Sequence, residues 1–364
     1  MVASVKSEVK NEVLGFLNSG KTEALKAVVM PDFFLDRLIS LDCGVEEFKG
    51  LVGGVVERKG GSLDGIPQVD IKGGNAINTA SALSALGVFV VPIVCTSEYG
   101  LHQIKYHFKD SKMDFSHVKI RPKASITTAL ELENASGKVN VMLRDVGALA
   151  DFGPDDLSEA DFQVLSEADF VCLFNWAGTK NKGTALAQKV FEATKHGGRG
   201  KTYFDTADPL PNKPEITGLM GAVLKSGLVD VLSVNENEAV CYAELLDPSI
   251  ASKRGTVGFA ELALESARVL SKQLSARVDL HTTAFSATLH GSSEVVVPTF
   301  KVRTVRATGA GDAWNAGNVL ADGNGLSDAA RLLLANAVSA CYLSDTEGVH
   351  PSLRALASFI SGAV

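Results

Sequence analysis

The chain has 364 residues, of which 46% are hydrophobic and 21% charged, and its formal net charge is −7. Such a chain can bury a sizeable core, which excludes a disordered chain and a small peptide scaffold. The acidic balance argues against binding along a nucleic-acid backbone, whereas backbone amides can still hold a small anionic ligand. The length fits one large domain with a small accessory, or two modest domains.

The cysteines and the amino terminus indicate the compartment. The five cysteines are odd in number and widely spaced, which predicts reduced thiols instead of a disulfide framework. No apolar run approaches the roughly 18 residues that span a bilayer, and the amino terminus lacks a small-residue cleavage site. We therefore expect a cytoplasmic protein without a membrane partner. Because no zinc-type spacing occurs, any metal is expected to arrive with a substrate.

The first 72 residues divide into three predicted parts. Residues 1–26 have the apolar spacing of an amphipathic helical extension, and residues 27–30 form the first strand candidate. Residues 38–72 contain short alternating segments separated by glycines, which predicts a small, partly exposed antiparallel flap. The unpaired strand edges of such a flap favour pairing with a second copy of the chain.

From Gly73 onward, apolar strand-like runs alternate with helical stretches. The runs are VFVVPIVC, DFVCLFNW, KTYFD, VDVLSVN and RVDLHTT. This rhythm predicts βα units in an α/β fold, with a mostly parallel sheet covered on both faces. Residues 125–143 interrupt the rhythm by alternating around Ser136-Gly137, and they predict a hairpin beside the parallel sheet.

The segment Gly15–Thr22, GFLNSGKT, matches the pattern of a nucleotide-binding phosphate loop. That loop works only between a buried strand and the amino terminus of a helix. Here the preceding residues have a charged, helical pattern, and little more than two turns separate the motif from the next strand. We favour a helix that ends at Gly20.

A second glycine-rich segment, Thr308-Gly309-Ala310-Gly311-Asp312, precedes a helical pattern. Its consecutive amides and the helix dipole can form an anion hole for a transferring phosphoryl group. Asp312 can accept the proton of an attacking hydroxyl, although the dipole is expected to keep this carboxylate ionised and weakly basic. An acidic residue in an ordinary first helical turn is the alternative interpretation.

Together with Lys72-Gly73-Gly74-Asn75-Ala76-Ile77-Asn78, continued as TASALSALG, this segment resembles the two signatures of the ribokinase-like (PfkB) carbohydrate kinase family. The resemblance covers about residues 28–362. It implies ATP-dependent, Mg²⁺-dependent phosphoryl transfer to a hydroxyl of a sugar, polyol or nucleoside. It also implies a kinase domain of residues 27–37 and 73–364, with residues 38–72 as a small β lid.

The resemblance assigns roles to individual residues. Asp312 matches the catalytic base, and Gly309, Ala310 and Gly311 match the anion hole. The matches to the substrate site are Asp36, Gly74, Asn75 and Asn78. Asn235 and Glu238 match the element that orders the water shell of magnesium, and their spacing also predicts a local helix-capping pair. The matches to the nucleotide site are Thr282, Ala284, Ala287, Thr308, Asn336 and Gly348.

Departures from the family pattern leave alternatives open. Arg306-Ala307 replaces an Asp-Thr pair, so dependence on a monovalent cation is uncertain, and Ala284 and Ala287 replace glycines near the donor. An ADP-dependent variant is one alternative, and a phosphosugar kinase is another. The cations that would serve a phosphosugar are Arg144, Lys180, Lys182 and Arg306. A noncatalytic sugar-sensing or scaffold protein on the same fold is the alternative from another class.

Overall fold

The computed structural model describes residues 7–19, 24–109, 111–134, 137–305 and 308–362, with only the backbone described at 137 and 138. The helices are α1 Ser7–Ser19, α2 Val45–Glu57, α3 Asn75–Ala85, α4 Glu98–His107, α5 Glu159–Glu167, α6 Gly183–Gly197, α7 Ile216–Leu219, α8 Glu236–Leu246, α9 Ser249–Ser252, α10 Phe259–Gln273, α11 Ala310–Gly323, α12 Asp328–Ser344 and α13 Leu353–Gly362. Short 3₁₀ turns occur at Gly147–Asp151, Pro154–Asp156, Trp176–Gly178 and Leu210–Glu215, and a π turn at Met220–Leu224.

The strands form two larger sheets and one small pair. They are β1 Lys26–Met30, β2 Phe34–Gly44, β3 Gln68–Gly73, β4 Phe89–Pro92, β5 Cys95–Thr96, β6 Lys119–Ile120, β7 Ser125–Asn134, β8 Gly137–Asp145, β9 Phe170–Phe174, β10 Lys201–Asp205, β11 Val231–Val234, β12 Arg277–His281, β13 Phe285–His290 and β14 Ser293–Pro298. Within the described residues the main sheet has the order β14-β13-β12-β11-β10-β9-β1-β4, and the second sheet β3-β2-β7-β8. Among the described residues, β5 and β6 form a separate two-stranded sheet.

The main sheet is mostly parallel and is covered on both faces. Pairs from β4 through β12 are parallel, whereas β12-β13 and β13-β14 are antiparallel. Alternate residues of β1 enter opposite cores: Val28 and Met30 belong to one apolar cluster, and Ala27 and Val29 to the other. A strand buried on both sides needs helices on both sides. The predicted α/β fold with a mostly parallel, doubly covered sheet is confirmed.

The amino-terminal helix packs on the body of the protein. Val13 and Leu17 of α1 are buried, and the helix contacts α12 and α13. Glu12 accepts hydrogen bonds from the backbone N–H of Ser327 (2.7 Å) and from its hydroxyl (2.7 Å), at the start of α12. These contacts indicate that α1 stabilises the folded protein. The helix covers Ser7–Ser19 of the predicted extension 1–26, and Lys26 is already the first residue of β1.

The phosphate-loop pattern lies in the wrong context. Residues 15–19 are the last part of α1 and follow a helical segment, not a buried strand. The remaining residues, 20–22, are outside the part of the chain that the structure describes. The described residues of the motif therefore follow a helix and lack the buried strand that a phosphate loop requires.

The second sheet differs from the predicted flap in two ways. Residues 45–57 form helix α2 and not strands, because the apolar spacing of this segment fits a helical period, and Gly53 and Gly54 lie within the helix. The hairpin β7-β8 pairs with β2 through β7, so it belongs to the second sheet and not to the parallel one. The sequence shows the hairpin but not which edge it joins, because that pairing is nonlocal.

A buried ion pair stands between the main sheet and α11-α12. The Arg331 side chain is 1% exposed and donates from Nη1 to Asp279 Oδ2 at 2.9 Å, while Asp279 is fully buried. Asn318 Nδ2 also donates to Asp279 Oδ2, at 2.9 Å, and contacts the Tyr203 hydroxyl at 3.1 Å. Burial alone would raise the pKa of Asp279, but the charges of Arg277 and Arg331 hold it well below its usual range.

This network continues to the carboxyl edge of the sheet. The Tyr203 hydroxyl donates to Asn315 Oδ1 at 2.7 Å, and the Ser233 hydroxyl donates to the same oxygen at 2.7 Å. Asn315 Nδ2 in turn donates to Asp205 Oδ2 at 2.7 Å. A chain of hydrogen bonds thus fixes the carboxylate at the end of β10 from inside the core. Among the helices within the described ranges, none is long and apolar enough to cross a membrane.

Candidate active site

A cavity of about 260 Å³ opens where the parallel strands end and α11 begins. Ligand sites of open α/β sheets lie at this edge. The lining residues are Asn75, Asp205, Ala207, Asp208, Asn235, Glu238, His281, Gly309, Ala310, Gly311 and Asp312. The structure thus brings both glycine-rich segments and the Asn235–Glu238 pair to one place, although more than two hundred residues separate the first from the last.

The amino terminus of α11 points its first turn at this cavity. Gly309 has φ +89° and ψ 0°, a left-handed conformation that glycine adopts without strain. A methyl group at this position would stand 2.7 Å from the Tyr342 hydroxyl, which donates to the Thr308 carbonyl. The first amides of a helix have no intrahelical acceptor, so those of residues 310–312 can bind an anion.

Substituting Gly309→Ala tests this turn. We expect the protein to lose roughly 1–3 kcal/mol of stability from the left-handed backbone, and turnover to fall by about tenfold or more because the amides shift. Gly325→Ala is the matched control, since Gly325 has φ +69° with no heavy atom within 4 Å of an added Cβ. Thermal unfolding and steady-state kinetics of both variants separate strain from site geometry; equal turnover in the two would contradict the assignment.

Asp312 lines the cavity and is 4% exposed. Asn75 Nδ2 donates to its Oδ1 at 2.9 Å, and Asn78 Nδ2 donates to its Oδ2 at 3.0 Å. Both asparagines come from the first turn of α3, so the two glycine-rich segments meet at this carboxylate. In the described structure these asparagines hold Asp312, whereas the resemblance assigns them to the substrate.

Burial raises the pKa of Asp312 to about 8, and the charge of Asp205 acts in the same direction. The hydrogen bonds from Asn75 and Asn78 oppose that rise in pKa. The expectation of a weakly basic carboxylate kept ionised by the helix dipole is therefore wrong, because burial of the carboxyl group raises its pKa. A carboxyl group whose pKa is near neutrality is better matched to general-base work than an ordinary aspartate.

Asp32, which the sequence analysis did not select, holds the start of α3. It is fully buried and accepts hydrogen bonds from the backbone N–H of Asn75 (2.8 Å) and Ala76 (2.9 Å). Asn175 Nδ2, at the end of β9, donates to it at 2.8 Å. Gly74 has φ +94°, and a methyl group there would lie 3.0 Å from the Asp32 carbonyl. Asp32 therefore positions the helix that carries Asn75 and Asn78.

Asp36 lies apart from the Asp312 cavity. It lines a second cavity, of about 220 Å³, bounded by the second sheet and by residues of α4 such as Tyr99 and Gln103. Its Oδ1 is buried without a hydrogen-bond partner. Burial raises the pKa of Asp36 to about 6, opposed by a hydrogen bond from Thr127 and by the charge of Arg144. The structure thus does not join all the predicted substrate residues in one pocket.

Asn235 and Glu238 form the predicted capping pair and also line the cavity. Asn235 Oδ1 accepts from the Glu238 backbone N–H at 3.0 Å, and Glu238 Oε2 accepts from the Asn235 backbone N–H at 3.0 Å. Burial raises the pKa of Glu238 well above its usual range, and the charges of Asp205 and Asp208 raise that pKa further. The described residues contain no group of three side chains already arranged around a metal.

The six residues assigned to the nucleotide do not line the Asp312 cavity. Thr282 and Ala284 form the turn between β12 and β13, and Ala287 is fully buried in β13. Both polar ends of Asn336 are occupied, because Trp314 Nε1 donates to its Oδ1 (2.9 Å) and its Nδ2 donates to the Pro298 carbonyl (3.1 Å). The other two, Thr308 and Gly348, lie at the start of the α11 turn and in the loop after α12. Arg306 and Ala307 are outside the described residues.

Asp205, Asp208 and His281 line the cavity and were missed by the sequence analysis. Asp205 and His281 are the last residues of β10 and β12, and Asp208 follows three residues after β10. Polar residues at the carboxyl ends of consecutive parallel strands converge on one edge. That rule, applied to KTYFD and RVDLH, would have found two of them.

Comparison with known proteins agrees with this geometry. The chain resembles crystal structures of ribokinase from Thermotoga maritima (17% identity, TM-score 0.65, 93% of this chain and 99% of that one) and of adenosine kinase from Sinorhizobium meliloti (16%, 0.66, 94% and 100%). It also resembles ribokinase from Cryptococcus neoformans var. grubii in complex with ADP (15%, 0.68, 93% and 99%). These identities establish the shared fold alone.

A search among curated protein sequences finds no match. The model of the pfkB family carbohydrate kinases, in contrast, matches residues 68–354. Because this match spans well over half of the chain, the protein belongs to the pfkB family of carbohydrate kinases and is a phosphotransferase.

Proposed function

We propose that this family member transfers the terminal phosphoryl group of ATP to a hydroxyl of a sugar, polyol or nucleoside. One observation carries the proposal: the Asp312 carboxylate and the amides of residues 310–312 line one cavity, with Asn75 and Asn78 fixing the carboxylate. A base beside an anion hole is what phosphoryl transfer to an alcohol requires. Ribokinase and adenosine kinase, which share the fold, carry names that fit this acceptor class.

In the proposed reaction, the acceptor oxygen forms a bond to the terminal phosphorus as the bond from that phosphorus to the bridging oxygen of ADP breaks. The proton of the acceptor hydroxyl passes to Asp312. The amides of residues 310–312 receive the charge on the transferring phosphoryl oxygens. ATP is the proposed donor, since one structure of the same fold holds ADP, the product of ATP use.

We propose that a Mg²⁺ ion enters this cavity together with the phosphates of the donor. Asp205, Asp208 and Glu238 line the cavity, and burial, followed by the charges of Asp205 and Asp208, raises the pKa of Glu238. Magnesium prefers oxygen ligands and keeps several waters, so a site without a complete protein cage suits it. When bound, the ion would neutralise phosphate charge, and Asn235 and Glu238 would hold its water shell.

We propose an uncharged acceptor, because no cation lines the described part of the Asp312 cavity, where the phosphoryl group is transferred, although Arg37 and Lys72 line the Asp36 cavity. None of the described residues that line the Asp312 cavity is Lys or Arg. Lys182 pairs with Asp155 at the surface (3.3 Å), and Lys180 is exposed. Arg144 acts on Asp36, where its charge opposes the rise in the pKa of that carboxyl. We propose that Asp36, with Arg144 nearby, binds hydroxyl groups of the acceptor.

The second sheet is our candidate lid, which closes over the acceptor and excludes water. One face of this lid is apolar and exposed. Val141 and Leu143 are 45% and 58% exposed and lie at alternate positions of β8 on that face.

We propose a homodimer through this lid, because an exposed apolar sheet face is usually covered. We also propose a cytoplasmic location, because all five cysteines are free thiols.

A substrate screen tests the proposed activity. Sugars, polyols, nucleosides and phosphosugars are each incubated with ATP or ADP and MgCl₂, and products are read by mass. We expect a product 80 Da heavier than an uncharged acceptor, with ATP as donor, an increment that reflects one phosphoryl group. No acceptor-dependent product from any mixture would contradict the proposal, and a product from a phosphosugar alone would contradict the assigned acceptor class.

With the acceptor identified, Asp36→Asn is expected to raise KM for that acceptor by about tenfold to 100-fold, the range for one hydrogen bond to a charged group. kcat should change less, because Asp36 lies outside the Asp312 cavity. Asp64→Asn, an exposed aspartate between α2 and β3, is the control. An unchanged KM in Asp36→Asn would remove this residue from the acceptor site.

A further inference from the structure

His281, the last residue of β12, lies against the anion-hole turn. A methyl group on Gly311 would come within 3.3 Å of His281 Cε1, so the ring edge that carries both nitrogens faces this turn. The imidazole also packs on Trp314, with ring centroids 5.0 Å apart and an interplanar angle of 33°. The ring is therefore held in place by α11, the same helix that supplies the amides and Asp312.

The Nε2 atom of His281 is buried and has no hydrogen-bond partner in the protein. The other nitrogen-bearing side chains of the cavity, Asn75 and Asn235, already donate to Asp312 (2.9 Å) and Glu238 (2.7 Å). A buried polar atom without a partner costs about 1–3 kcal/mol, and native proteins rarely leave one without a purpose. His281 therefore carries an unfilled hydrogen-bonding position beside the anion hole.

The cavity is lined by acidic side chains, so a neutral hydrogen-bond donor such as an imidazole is useful there for binding a phosphate. Its described lining includes four carboxyl groups, those of Asp205, Asp208, Glu238 and Asp312, and no Lys or Arg. Burial lowers the pKa of His281, although the charges of Asp205 and Glu236 oppose this fall in pKa. A neutral imidazole still has one N–H to donate, and it does not surrender that proton when a phosphate arrives.

We propose that His281 Nε2–H donates a hydrogen bond to the phosphoryl group that is transferred, beside the amides of residues 310–312. This inference rests on the proposed kinase function and adds to it a side-chain donor from β12. The bond is filled only when the terminal phosphate of the donor is present. The alternative is that His281 serves only as an aromatic packing partner of Trp314.

Two substitutions separate these roles. His281→Phe keeps an aromatic ring against Trp314 but removes both nitrogens, and His281→Gln keeps an amide N–H near the position of Nε2. His290→Phe is the matched control, because His290 is the exposed last residue of the adjacent strand β13. Thermal unfolding of all variants shows whether the packing is retained.

Calorimetric titration with ADP and with the nonhydrolysable ATP analogue AMP-PNP, in MgCl₂, needs no knowledge of the acceptor. We expect His281→Phe to weaken AMP-PNP binding by about tenfold or more relative to ADP binding, the range for one hydrogen bond to a charged group. His281→Gln should recover part of that loss, and His290→Phe should match the wild type.

The outcomes distinguish this inference from the proposed function. Wild-type affinity for AMP-PNP relative to ADP in His281→Phe, or an equal loss for both nucleotides, would overturn the role of His281 while leaving the kinase proposal intact. A wild-type protein that binds neither nucleotide would overturn both. A loss of AMP-PNP binding that follows a lowered unfolding temperature, and that His281→Gln does not relieve, would identify the ring as packing only.

Discussion

Replacing Asp312 by asparagine is expected to lower kcat by about 10³-fold, near the middle of the range for removing a general base. Asn is nearly isosteric and its oxygen can still accept from Asn75 or Asn78, while the other of these two must turn its own amide oxygen toward the new NH₂ group. Nucleotide binding should therefore persist. Steady-state turnover with the acceptor found in the screen, together with calorimetric nucleotide affinity, measures the two effects separately.

The pH profile gives a second test of the same residue. Because burial raises the pKa of Asp312 to about 8, the base is mostly ionised only above that pH. We expect kcat/KM to rise with pH up to about 8 in the wild-type protein, and Asp312→Asn to lose this limb. Turnover that stays at the wild-type level in Asp312→Asn would refute the assigned base.

Asp312→Asn should also change the dependence of stability on pH. The pKa of this carboxyl is higher in the folded chain than its unfolded value of 3.8, so the folded state binds the proton more tightly. Its contribution to stability is complete below about pH 4 and is lost as the pH rises toward 8. The variant lacks this loss, so the unfolding temperature of the wild type relative to that of the variant should fall by at least about 2 °C between about pH 4 and about pH 8.

Replacing Arg331 by methionine is expected to destabilise the protein by roughly 3–5 kcal/mol, the cost of leaving one partner of a buried ion pair alone. Asp279 is fully buried, and Arg277 Nη2, 3.0 Å from Asp279 Oδ2, can compensate only in part. Turnover should fall as well, because the network through Asn318, Tyr203 and Asn315 reaches Asp205 in the cavity. Denaturant unfolding and kinetics of the surviving folded fraction measure both effects.

Arg268→Met is the matched control for this experiment. Arg268 makes a two-bond ion pair with Glu294, at 2.8 Å and 2.7 Å, but its side chain is 45% exposed. Exposed pairs contribute about 0–1 kcal/mol, so this variant should be nearly neutral. Equal losses in the two variants would show that burial is not the source of the Arg331 effect.

The sequence predicted those features that depend on local pattern. Apolar runs such as DFVCLFNW are strands buried on both faces, and the glycines before Asp312 and Asn75 mark turns that lead into helices. These signals are local because strand burial and a left-handed turn are encoded within a few residues. The two segments meet at Asp312. The glycines before Asp312 form the anion hole, and the segment at Asn75 supplies the side-chain amides that hold the carboxylate.

The features that were missed depend on contacts between distant segments. The hairpin β7-β8 joins the second sheet only because β7 pairs with β2, some ninety residues earlier in the chain. Asp32 looks like an ordinary residue after a strand, and its role appears only when α3 is placed above it. The pKa of Asp312 was misjudged because the helix dipole is visible in the sequence, whereas the depth of burial is not.

The most direct test of the central claim is a crystal structure with MgCl₂, ADP and aluminium fluoride, which imitates the transferring phosphoryl group. The account predicts the fluoride complex within hydrogen-bonding distance of the backbone N–H groups of residues 310–312, with the Asp312 carboxylate facing its open side. Density for the complex at residues 15–22, or anywhere away from the turn at Gly309, would contradict it.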